Sequence, residues 1–218
     1  MRKNSLSHAS PPTSAIAKIK ARPFLVALLG MFVLTAVSTP AFAHPGHVDG
    51  GGLLAGLAHP FSGIDHFIAM IAVGMWAAQL GGRAVWAVPA AFMALMALAA
   101  ALVLSGSGSF AAGGIESGIA ASLFVLGLLV WRAQRMPLFA AAALVALFGL
   151  FHGAAHGGEL PQSADPLRYA LGFLSATAAL HGAGVFFGAM LKRHSPLIGR
   201  LAGAATAVAG IALFVGAR

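Results

Sequence analysis

The chain has no cysteine among its 218 residues, which removes disulfides, iron–sulfur clusters and thiolate metal sites together. Any metal it handles must be held by nitrogen, oxygen or thioether. Charge is nearly as scarce: 8% of residues are Asp, Glu, Lys or Arg against 59% apolar, and the mean hydropathy is +0.89. So little polar surface cannot cover a soluble globule, and this length suits a single helical bundle without a sizeable soluble domain. No G-x-x-x-x-G-K-[ST] loop occurs, so the chain shows no nucleotide engine of its own. No strand alternation or soluble repeat competes with helices. The composition calls for an all-α integral membrane protein.

The formal charge of +8 does not indicate a nucleic-acid surface. Five of the thirteen basic residues lie in the first 22 positions. An apolar run from Phe24 to Val37 follows, and then Ala41-Phe42-Ala43, the form of a secretory signal with an A-x-A cleavage site. Residues 1–43 are therefore read as a cleavable signal peptide with His44 as the mature N-terminus. Its removal leaves eight bases against five acids.

Six apolar segments come next, near 63–80, 84–104, 112–132, 137–157, 166–191 and 197–217, each close to the ~20 residues of a bilayer-spanning helix. Residues 44–62 form a His-rich N-terminal stretch with a half-helix, and 63–218 a six-span transmembrane bundle. Gly81-Gly82-Arg83 and Ser105-Gly106-Ser107-Gly108-Ser109 make short loops, Pro137 and Pro196 open later spans, and Asp165-Pro166 reads as an N-cap with proline at the first helical position. Arg83, Arg132, Arg135, Lys192, Arg193 and Arg200 fall in alternate loops, so the positive-inside rule puts both termini outside. That agrees with an exported N-terminus, periplasmic for a protein of a bacterial inner membrane. Gly184-x-x-x-Gly188 and Gly199-x-x-x-Gly203 have the spacing that lets membrane helices pack closely, and a homo-oligomer is left open.

Ionisable side chains at membrane depth cost several kcal/mol unless paired, hydrated or metal-bound. They occur here in two groups. In the first, His59, Asp65 and His66 flank a break: Pro60 disfavours helix at His59, and Ser62 with Asp65 has the spacing of a capping box, so a helix is expected to start at Gly63. That helix start carries partial positive charge, which suits Asp65 and opposes a cation unless carboxylate and imidazoles ligate it directly. In the second group, His152, His156 and Glu159 at i, i+4, i+7 share one helical stripe, and two imidazoles one turn apart can grip one divalent ion. Both groups fall at the outer ends of their spans and can meet. Glu116, about a turn into its span from the same side, is placed to complete a site or to snorkel, and His181, ~22 Å down the fifth span, would be a deep member of a path. His44 and His47 would form an outer metal collector on a glycine-rich tether. Met70 and Met75 read as core filler, Trp76, Trp86 and Trp131 as an interfacial belt, and His8 and His194 as bystanders.

His59-Pro60-x-x-Gly63-x-Asp65-His66, then Ala69-Met70 and Val73-Gly74, and later Phe151-His152-Gly153-x-Ala155-His156-Gly157-x-Glu159, resemble the HupE/UreJ family of hydrogenase and urease accessory proteins. The resemblance implies a nickel or cobalt permease rather than an enzyme, with no prosthetic group and with Ni²⁺ or Co²⁺ as its cargo. It carries metal-binding roles to His59, Asp65, His66, His152, His156 and Glu159. Two other classes remain open on the residues: an intramembrane zinc hydrolase, with a zinc-activated water between the histidines, and a metal-binding accessory protein that does not transport.

Overall fold

The computed structural model describes residues 52–108 and 111–216. The proposed signal peptide and the His44 and His47 collector lie outside these residues. The described residues form helices α1 (Leu53–Ser62), α2 (Ile64–Leu80), α3 (Ala84–Leu104), α4 (Ala112–Arg132), α5 (Leu138–Gly158), α6 (Pro166–His194) and α7 (Pro196–Gly216). The last five are each long and apolar enough to cross a membrane, and α1 with α2 makes a sixth span if the pair, bent by 85°, is counted as one. By helix length and hydropathy this is a multi-pass membrane protein. Large apolar side chains such as Phe139, Phe186, Leu197 and Val208 stay exposed on the outside of the bundle, where lipid is their natural solvent.

The break lies where the sequence suggests, but it is built differently. His59 and Pro60 sit inside α1, which runs on to Ser62. Gly63, not Ser62, precedes α2, with extended backbone at φ −100° and ψ 112°. The expected capping box does not form: the Ser62 hydroxyl turns back to donate to the His59 carbonyl at 2.6 Å, and Asp65 accepts from the His66 backbone N–H at 2.8 Å. Tertiary packing explains how α1 tolerates its proline. A Cβ on Gly56 would strike the Tyr169 carbonyl, and one on Gly172 would strike that of Leu53, so α1 and α6 lie backbone to backbone. This contact holds α1 in place against the local cost of Pro60.

Similar contacts hold the rest. Gly74 on α2 and Gly184 on α6 pack against each other's helix, Gly149 and Gly153 bring α5 onto α3, and Gly127 on α4 meets Gly203 and Ala207 on α7. The Gly184-x-x-x-Gly188 expectation holds, since both residues lie tight against α2. In the second motif only Gly203 works this way, because Gly199 has ordinary room toward the Leu191 side chain; α7 continues its close approach to α4 at Ala207 and Gly210, one and two turns on. Trp86 and Trp131 are exposed as belt residues should be, but Trp76 is fully buried and donates to the Gln134 carbonyl at 2.9 Å. It ties α2 to the α4–α5 loop, which removes it from the belt. Asp165 caps α6 as expected, accepting from the Arg168 backbone N–H at 2.8 Å.

The close α1–α6 contact makes a specific prediction. Gly172→Val should displace α1, and with it His59, weakening divalent-metal binding by the purified protein, while Gly182→Ala, whose new Cβ meets nothing within 4 Å, should leave binding intact. Metal titration of both variants, with circular dichroism to confirm helix content, checks the contrast.

Candidate metal centre

Four imidazoles from three helices meet at the broken span. The ring of His66, in the first turn of α2, lies 4.8 Å from those of His152 and His156 on α5, and His59 near the end of α1 lies 4.7 Å from His156. Glu159, just past the end of α5, approaches His59, and Asp65 is beside His66. The six residues of the two sequence groups are therefore brought together. His152 and His156 are wholly buried, and His66 is 6% exposed.

The hydrogen bonds settle which ring nitrogen carries the proton. His66 Nδ1 is 2.9 Å from Asp65 Oδ1, and His59 Nε2 is 2.9 Å from Glu159 Oε2. A carboxylate oxygen only accepts, so these nitrogens donate, and in the neutral ring the other nitrogen holds a lone pair. His59 donation in turn holds the Glu159 carboxyl below the ordinary glutamate range, which keeps it anionic at neutral pH. His152 reaches the same state through a hydroxyl. Ser122 on α4 spends its proton on the Ile119 carbonyl at 2.6 Å, so at 3.0 Å it must accept from His152 Nε2, leaving the lone pair on Nδ1. This is the arrangement that fixes metal-ligating histidines, one nitrogen held by an oxygen and the other presented.

The presented nitrogens of His66 and His152 have no partner. His66 Nε2, His152 Nδ1 and both nitrogens of His156 are buried without a hydrogen bond. An unsatisfied buried polar group costs about 1–3 kcal/mol, so four of them together cost about 4–12 kcal/mol, comparable to a domain's whole net stability. Such a cost calls for a ligand. Among the described residues no three His, Asp or Glu side chains stand ready-arranged to hold an ion, so ligation requires side-chain rotation. His156, edge-on to His59 and His66, stacked on Phe173 and held by no hydrogen bond, is the ring best placed to turn.

Beside the cluster an open cavity of about 620 Å³ is bounded by the N-terminal ends of α2 and α4 and the C-terminal ends of α5 and α7. Asp65, Glu116 and Glu159 line it, as does His66. Glu116 thus faces the same space as the cluster. Three carboxylates in one cavity raise the local concentration of cations. His181 is set apart: it is 2% exposed, and its ring packs on Phe92, which packs in turn on His152. His194 is exposed at the end of α6, consistent with a bystander.

The sequence reading missed Ser122, Phe92 and Phe173. A lone serine in an apolar span carries no periodic signal. Phe173 could have been found, since Tyr169, Phe173, Thr177 and His181 recur every four residues and all are buried.

Residues 32–213 match the family model described as HupE / UreJ protein. The chain is also 44% identical over 187 residues to Protein HupE of Rhizobium leguminosarum bv. viciae, a match that spans 84% of this chain and 95% of that relative. No solved structure matches.

If Ser122 sets the His152 tautomer, Ser122→Ala should weaken metal affinity by about 10- to 100-fold, the usual cost of losing an outer partner of a ligating histidine. Cobalt titration of the purified variant measures this, and an unchanged affinity would remove His152 from the ligand set.

Proposed function

The chain belongs to the HupE/UreJ family, and from that premise we propose that it is a secondary permease carrying a divalent transition metal, nickel or cobalt, into the cell for maturation of metalloenzymes such as hydrogenase or urease. One observation supports this reading above the others: imidazoles whose protons are held by oxygen, with partnerless lone pairs, beside a cavity lined by three carboxylates. In this reading the cation enters the cavity, exchanges water for His66, His152 and His156, and is charge-compensated by Asp65, with His59 and Glu159 at the outer edge. A donor set of imidazole and carboxylate suits Ni²⁺ and Co²⁺, and also admits Zn²⁺.

The broken span favours such a site. The C-terminal end of α1 turns partial negative charge toward the break, and Asp65 in the first turn of α2 offsets the positive end opposite it. The electrical driving force is sufficient without a nucleotide. A divalent ion entering down an inside-negative 100 mV potential gains ~4.6 kcal/mol, twice the ~2.3 kcal/mol per charge, which supports roughly thousandfold accumulation. In this orientation the acid-lined cavity faces the periplasm and the basic loops face the cytoplasm.

The test is initial Ni²⁺ and Co²⁺ uptake by proteoliposomes containing only this chain, with the membrane potential clamped. Wild-type protein should take up metal, and His66→Ala and Asp65→Asn should each abolish uptake while remaining inserted. Asparagine retains an oxygen that can accept from His66, so loss in Asp65→Asn isolates the charge. Binding without uptake by the wild-type protein would instead identify a metal-binding accessory protein.

A further inference from the structure

We propose that Thr177 and His181 on α6 form a second, deeper station for the transported cation, separated from the histidine cluster by the ring of Phe92. The proposal rests on the permease reading and adds a site to it. His181 is in the same prepared state as the outer imidazoles. Its Nδ1 is 2.8 Å from the Met70 carbonyl, which can only accept, so Nε2 holds the lone pair, and that atom is buried without a partner. Thr177 is wholly buried, and its hydroxyl likewise has no partner.

The missing bond at Thr177 is informative because a helical Ser or Thr can discharge its hydroxyl on the carbonyl one turn back. Ser175 does so to Leu171 at 2.7 Å, and Thr206 to Ala202 at 3.0 Å. Thr177, buried on the same helix as Ser175, does not. Its spacing of four from His181 places both on one face of α6. Higher on that face, Phe173 stacks on His156 at 4.8 Å and Tyr169 lies 5.6 Å from His59. The upper half of the stripe therefore walls the outer cluster. At 1.5 Å per residue, Thr177 is ~6 Å and His181 ~12 Å farther along the helix than Phe173. Phe92 stands between the levels, 5.3 Å from His152 and 5.2 Å from His181.

One imidazole and one neutral hydroxyl make a poorer donor set than the outer cluster, with water supplying the remaining positions. That asymmetry suits a station from which a cation leaves: the outer site captures, and the deeper one holds the ion only in passing. Gly74 and Gly184 clamp α2 to α6 beside His181, so the level has a fixed floor.

Thr177→Val tests this without threatening the fold, since it replaces a partnerless buried hydroxyl by a methyl group of similar size, a change that is neutral or stabilising if the residue only packs. Two readouts are needed on the purified full chain: Co²⁺ absorption, which reports the outer histidine ligation, and Co²⁺ uptake in proteoliposomes. The expected result is retained absorption with maximal uptake lowered about tenfold or more, restored by Thr177→Ser, and the same separation in His181→Ala. Wild-type uptake in Thr177→Val would overturn the station, as would loss of the Co²⁺ absorption together with uptake, which would merge Thr177 with the outer cluster. Failure of the permease reading shows separately, as wild-type protein that binds Co²⁺ but does not take it up.

Discussion

The structure turns on one constraint: an imidazole buried in a membrane protein has two nitrogens to satisfy, and here an oxygen takes only one. Asp65, Ser122, Glu159 and the Met70 carbonyl each hold one nitrogen of His66, His152, His59 and His181. What remains is a set of oriented lone pairs in a region poor in other polar groups. In a soluble protein such nitrogens would find water. Three of these four rings are almost fully enclosed, so their partnerless atoms cost stability unless a cation or an ordered water occupies the space between them. The fold accepts that cost where it is useful, and the glycine contacts elsewhere keep the bundle tight enough to sustain it.

Those contacts also explain why the clustered histidines come from separate parts of the chain. Close backbone approach of α1 to α6, and of α5 to α3, carries the His59 and His152–His156 segments to one level. The interruption at Gly63 then allows α1 to leave the axis of α2 at 85°, which sets His59 edge-on to His156 without moving His66. A continuous helix would place His59 and His66 two turns apart along one axis. The break instead turns two sequence-adjacent groups into opposing walls.

Much of this was legible in the sequence. Five of the six apolar stretches agree with spanning helices to within about three residues at each end, because length and apolarity are local properties, and the first agrees with α2, which makes a span only together with α1. The meeting of the two histidine groups followed from charge asymmetry between loops. The details of the break did not follow, since Pro60 and the Ser62–Asp65 spacing argue locally for a helix start and the observed helix over Pro60 depends on contact with α6. Trp76 looked interfacial for the same reason: its burial depends on where the α4–α5 loop lies. Ser122 was invisible because its importance arises from a partner 30 positions away. The acceptor that orients a histidine is set by tertiary structure, whereas the histidine itself is set by sequence.

The central claim is that presented imidazole nitrogens, rather than the carboxylates of the cavity alone, take the ion. X-ray absorption spectroscopy of the Ni²⁺- or Co²⁺-loaded purified protein addresses this most directly, because imidazole rings leave a multiple-scattering signature that water and carboxylate do not. The account predicts a shell of nitrogen and oxygen with several imidazoles and no sulfur, and an imidazole contribution that diminishes in Ser122→Ala. A shell of oxygen alone, with no imidazole scattering, would contradict it and move binding out to Asp65, Glu116 and Glu159.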